Sequence, residues 1–315
     1  MTAYDDYTAP DPGQPALRGF FRALLTVAFK GLIRPPTPFK VQRALLRTLT
    51  GVTLMPRGVR VTDGVLAARP CKWFSDQADV QRVILYLHGG AFIIGAPYTH
   101  RALCASLAKR SGYRVCALAY RLAPEHPFPA AQDDVVTAYQ DLLSQGVAPS
   151  DIVLAGDSAG GNLVLGACLR LRAMQLPLPR ALVCFSPVTD LTAERLHAPA
   201  AGDPMIARTW LAQARALYLK DGQDPACPSV SPLFADLQGL PPVLVQVAED
   251  EVLLNDSLRL AQRVREAGGT VRLERYPGLW HVFQVHAGVL KASDNALERV
   301  AQFVSEPPQE ATPPN

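Results

Sequence analysis

The order of apolar and polar positions along the chain predicts buried parallel strands alternating with helices. Val83-Ile84-Leu85-Tyr86-Leu87 is a near-continuous apolar run, the mark of a strand buried on both faces of a mostly parallel sheet. Further strands fit 114–119, 152–155, 181–185, 243–247 and 271–276, with strand-like alternation also from about residue 57. Helical spacing fits 99–110, 130–145, 161–174, 254–266 and 288–304 between them. Repeated βα units with short loops imply a doubly wound α/β sheet with helices on both faces.

Two regions break that alternation. Before the first strand, Leu17, Phe20, Phe21, Leu24, Leu25, Ala28 and Leu32 recur at helical spacing, and Pro35, Pro36 and Pro38 end the helix. A second helical stretch covers 41–49 and stops at Gly51. The segment 190–231 is rich in proline around one helical piece, 206–219. Together these predict a cap: leader and cap helices over 1–55, a catalytic domain over 56–305 and a cap insertion at about 190–231. Residues 1–16 read as a flexible leader and the Pro-rich tail 306–315 as disordered. The broad apolar face of the first helices has two readings, packing over a substrate cleft or docking on a membrane or partner.

Composition narrows the class. At 315 residues the chain can bury a sizeable core, and 49% hydrophobic against 19% charged residues excludes disorder. A net charge of +3 is too weak to indicate nucleic acid. The six cysteines are scattered, with no C-x-x-C and no zinc-ligand spacing, so the expectation is reduced thiols, no metal and a cytoplasmic location. The N-terminus lacks the basic start of a secretory signal, and Arg18, Arg22 and Lys30 interrupt the apolar stretch too often for a spanning helix. Peripheral membrane contact and a homodimer both stay open.

The chemistry gathers on Gly156-Asp157-Ser158-Ala159-Gly160, between the strand at 152–155 and the following helix. G-x-S-x-G at a strand-to-helix turn projects a serine hydroxyl from the top of a sheet, and a side chain at either glycine would collide in so tight a turn. A serine needs a base; His281, just beyond the last strand, stands in the expected place. An acid must orient that imidazole, and the turn after 243–247 offers Glu249, Asp250 and Glu251. An oxyanion site is expected from the backbone N–H groups of Gly89, Gly90 and Ala159, because His88-Gly89-Gly90-Ala91-Phe92 follows the strand at 83–87. Phe92, Asp157, Trp210 and Trp280 are candidates for the substrate pocket.

These pieces, with Tyr120-Arg121-Leu122-Ala123-Pro124-Glu125 and Gly161-Asn162, resemble the hormone-sensitive-lipase-like carboxylesterases of the α/β-hydrolase fold, over about residues 55–305. The resemblance implies hydrolysis of short-to-medium acyl esters, without cofactor, beneath a helical cap. It puts the acid at Glu251, where the family usually has aspartate, with Asp250 as runner-up. It also implies that Arg121 and Glu125 pair to brace the loop beside the site. Other readings of the same parts are a non-catalytic small-ligand-binding module, or the same triad directed at amides, lactones or acetyl groups.

Overall fold

The computed structural model describes residues 6–77, 81–219 and 222–306. In chain order the strands are β1 (Tyr7–Thr8), β2 (Arg60–Leu66), β3 (Arg69–Ser75), β4 (Val83–Leu87), β5 (Arg114–Leu118), β6 (Ile152–Asp157), β7 (Ala181–Phe185), β8 (Val243–Ala248) and β9 (Val271–Tyr276). The helices are α1 (Pro15–Leu25), α2 (Phe39–Leu49), α3 (Arg101–Ser111), α4 (Ala130–Ser144), α5 (Ala159–Ala173), α6 (Arg208–Tyr218), α7 (Leu254–Glu266) and α8 (Lys291–Ser305). They form one sheet in the order β1-β9-β8-β7-β6-β4-β5-β3-β2. β3 pairs antiparallel with both β2 and β5; every other pairing is parallel.

The continuous apolar runs are explained by two cores. In β4, Val83, Leu85 and Leu87 point into a core shared with α4, α5 and α7, while Ile84 and Tyr86 point into one shared with α3 and α8. Successive side chains leave a strand on opposite faces, so a strand covered on both faces must be apolar at every position.

The N-terminal segment differs from its expectation. Tyr7 and Thr8 pair with Glu274 and Arg275 and add a short parallel strand to the sheet edge, so the described part of the leader is docked, not free. Residues 1–5 of the expected leader and 307–315 of the expected tail lie outside the described residues. After α1 the helix widens into a π-helical stretch, Thr26–Leu32, before the prolines end it. α1, α2 and α6 lie over the ends of the central strands. Trp210 of α6 donates through Nε1 to Gln42 Oε1 of α2 at 2.9 Å. Arg22 of α1 reaches Asp250 at 3.0 Å. Arg43 of α2 donates to the carbonyls of Ile93 and Ala123 and forks onto Glu125. The expected Arg121–Glu125 pair is therefore not formed: Arg121 bonds Asp134 instead. Both carboxylates meet a guanidinium, but Glu125 ties the loop to the cap and not to its own neighbour.

Candidate active site

β6 ends at Asp157 and α5 begins at Ala159, which leaves Ser158 alone at the turn with φ 53° and ψ −117°. A non-glycine residue held at positive φ is strained, and the surroundings must over-determine it. Here the Ser158 N–H donates to Phe185 O at 2.9 Å, and the Ser158 carbonyl accepts from Asn162 N at 3.2 Å and Val188 N at 3.1 Å. The glycines answer to space. A Cβ on Gly156 would meet the backbone of Gly160, and one on Gly160 would meet the carbonyl of Leu87 in β4.

His281 lies on the loop after β9, buried, with Nδ1 3.2 Å from Glu251 Oε1. Glu251 is fully buried; its Oε2 accepts the Ser186 hydroxyl at 2.7 Å and the Ala248 N–H at 3.2 Å. Of the three carboxylates in this turn, geometry brings Glu251 to the imidazole. Asp250 points the other way, onto Arg22 of the cap. Burial alone would push His281 toward neutrality, but the Glu251 carboxylate, helped by Asp203 and Asp157, raises its pKa above the ordinary value. Ser158 and His281 line one cavity of about 470 Å³ with Gly89, Gly90, Asp157 and Trp210, closed over by side chains of α1 and α2.

The loop after β4 requires a correction. The Gly89 N–H, expected to face an oxyanion, donates instead to Asp157 Oδ1 at 2.9 Å. The same oxygen accepts the Tyr86 hydroxyl at 2.6 Å, and Oδ2 lies 3.3 Å from His100 Nε2. A buried carboxylate takes all the donors it can reach, so Gly89 braces Asp157. Among the described residues, the N–H groups of Gly90, Ala91 and Ala159 donate to no protein acceptor. Gly90 (φ 114°) and Ala91 (φ 51°) both hold left-handed backbone.

Asp157 lines the cavity as expected, but its carboxylate is occupied by these three donors. Burial opposes its charge; His100, Tyr86 and His88 outweigh that and hold its pKa below the usual carboxylate range. Asp157 in turn raises the pKa of His100 against the pull of burial. His88, buried beside that pair, is pushed down to about 3 by desolvation and the His100 charge. Trp210 lines the cavity; two other pocket candidates do not. Phe92 is stacked on Tyr218, ring centroids 3.8 Å apart, and Trp280 is buried in a satellite core beside His286. Both follow glycine-containing turns, and local sequence does not say which way such a turn aims the next side chain. Ser186, His100 and Asp203 have no site role in the sequence reading, because each reaches the site only when segments far apart in the chain are packed together.

A family model described as the alpha/beta hydrolase fold matches residues 84–285. An esterase of Acinetobacter venetianus is 41% identical over 231 residues, 73% of this chain and 76% of the relative. An acetyl-hydrolase of Streptomyces hygroscopicus is 40% identical over 251 residues, 79% of this chain and 83% of the relative. The crystal structure of an esterase from the bacterial hormone-sensitive lipase family superposes with a TM-score of 0.85 at 38% identity, covering 94% of this chain and 98% of that one.

Proposed function

The chain belongs to the hormone-sensitive-lipase-like carboxylesterases of the α/β-hydrolase fold, and on that premise we propose how its residues divide the work of ester hydrolysis. It is a serine carboxylesterase. The observation that carries the assignment is the buried His281–Glu251 hydrogen bond opening onto the same cavity as Ser158 on its strained turn.

Ser158 Oγ attacks the ester carbonyl carbon while His281 Nε2 takes the hydroxyl proton. Glu251 holds the imidazole through Nδ1–H, which fixes the tautomer and stabilises the imidazolium as it forms. Charge builds on the former carbonyl oxygen, toward the N–H groups of Gly90, Ala91 and Ala159; losing one such donor typically costs about 3 kcal/mol of barrier. The C–O bond to the alcohol breaks as His281 returns the proton to the leaving oxygen. Water then repeats the sequence on the acyl-enzyme. Among the described residues the Ser158 hydroxyl makes no protein hydrogen bond, and such contacts commonly tighten only when substrate is bound.

The lining supports a short-to-medium acyl chain. The cavity walls are mostly apolar, with Phe21, Leu25, Phe29 and Leu46 of the cap opposite the serine, so the helices 15–49 and 208–218 serve as the lid over the acyl group. Free thiols at all six cysteines support a reducing, cytoplasmic setting.

Turnover of p-nitrophenyl esters of graded chain length by wild type and Ser158→Ala is the direct test. Wild type should hydrolyse the shorter esters, and Ser158→Ala should lose on the order of 10⁴-fold or more in kcat. Wild-type inertness toward every chain length would sink the acyl-group reading, and an active Ser158→Ala would sink the nucleophile.

A further inference from the structure

Between Asp11 and Asp63 the chain has no acidic residue, yet nine of its 31 Lys and Arg lie there. The rest of the molecule therefore holds 22 of those cations against all 28 Asp and Glu. This segment is the one that folds into α1, the π-helical stretch and α2 over the cavity.

The two faces of α1 and the π-helical stretch after it differ. Leu25 and Ala28 are buried and line the cavity together with Phe21. Phe20, Leu24 and Val27, at the i, i+4, i+7 spacing of a single stripe, point outward, with Phe20 61% and Val27 67% exposed. Leu54, on the segment after α2, is 68% exposed. Phe20, Leu24, Leu49 and Leu54 are both exposed and part of the cavity wall, so the apolar surface is the rim of its mouth. Around it, Lys30, Arg34 and Arg47 of the cap form no ion pair among the described residues.

We infer that this cap face seats the enzyme on an anionic lipid surface, with the cavity mouth against the lipid. The inference rests on the esterase reading only for its consequence, that ester substrates reach Ser158 from the lipid side. Apolar side chains entering the acyl boundary with cations at headgroup level is the arrangement of an interfacial helix. Among the described residues no helix is long and apolar enough to cross a membrane. A second copy of this chain is the poorer occupant, because a two-fold interface would set the acid-free cationic segment against itself.

The test is flotation of the full chain with phosphatidylcholine vesicles, with and without phosphatidylglycerol. Wild type should bind the anionic vesicles many-fold more tightly and release them at high salt. Lys30→Glu/Arg34→Glu/Arg47→Glu should weaken binding by on the order of a hundredfold, each surface cation being worth roughly fivefold. Val27→Asp should weaken it as well. None of these residues lines the cavity, so soluble p-nitrophenyl acetate should be turned over as by wild type, which also reports the fold. Ser158→Ala should bind vesicles like wild type, so a failure of the chemistry and a failure of the docking are distinguishable. Equal binding to neutral and anionic vesicles, no binding to either, or a dimer that Val27→Asp splits without any vesicle binding would each overturn the inference.

Discussion

Glu251 touches a hydroxyl, a backbone amide and an imidazole at once, so it is held in place before any substrate arrives. Removing one partner of such a buried set leaves the others unsatisfied. Glu251→Gln should therefore cost on the order of 10³–10⁴-fold in kcat. Asp250→Ala removes only a partly exposed pair with Arg22, worth about 1 kcal/mol or less, and should leave kcat near wild type. The pH profile gives the sign. His281 acts as a base only when neutral, and Glu251 raises its pKa, so activity should fall as pH drops through that value. In Glu251→Gln burial prevails over the lost charge, and the acidic limb of kcat/KM should move to lower pH. A limb that stays in place, or a larger loss in Asp250→Ala, would mean that the acid is elsewhere.

Among the elements, the contact of α2 with α6 decides how the cap sits. Gln42 is fully buried; it accepts from Trp210 Nε1 and donates to Thr37 O at 2.7 Å. Gln42→Leu keeps the volume but strands a buried indole N–H, at about 1–3 kcal/mol. The expected result is a lower Tm together with a raised KM, since Trp210 lines the cavity; an unchanged Tm would mean that α2 and α6 dock independently of this bond. Element by element, sequence and structure agree where periodicity is strong: α7 and β9 fall at 254–266 and 271–276 as read. The differences lie where periodicity is short. Two residues are too few to show an alternation, so β1 was illegible, and the partner of a charged loop residue such as Glu125 is chosen by which helix packs nearby.

For the whole molecule, the cap and the sheet differ in how their hydrogen bonds are protected. β4, β6 and β7 are buried at every position, whereas α1 and α2 each bury a single residue. Local opening is easiest where few apolar contacts hold a segment. Amides of α1 and α2 should exchange with deuterium many-fold faster than those of the three central strands. Uniform protection across cap and sheet would show that they open as one unit.

Sequence alone determined the strand-to-helix turn that carries Ser158, because only glycines fit at 156 and 160 and only a βα unit makes such a turn. It determined that the centre of the sheet is buried on both faces, because the runs 83–87, 152–155 and 181–185 are apolar at every position, and it placed His281 after the last strand. Tertiary structure alone put Glu251 rather than Asp250 against the imidazole, because two adjacent side chains leave the backbone in different directions and only packing says which one meets it. It also turned the Gly89 amide, which the sequence offered to an oxyanion, onto Asp157. That carboxylate is 68 residues away in the chain, and it becomes a neighbour only because β4 and β6 lie side by side in the sheet.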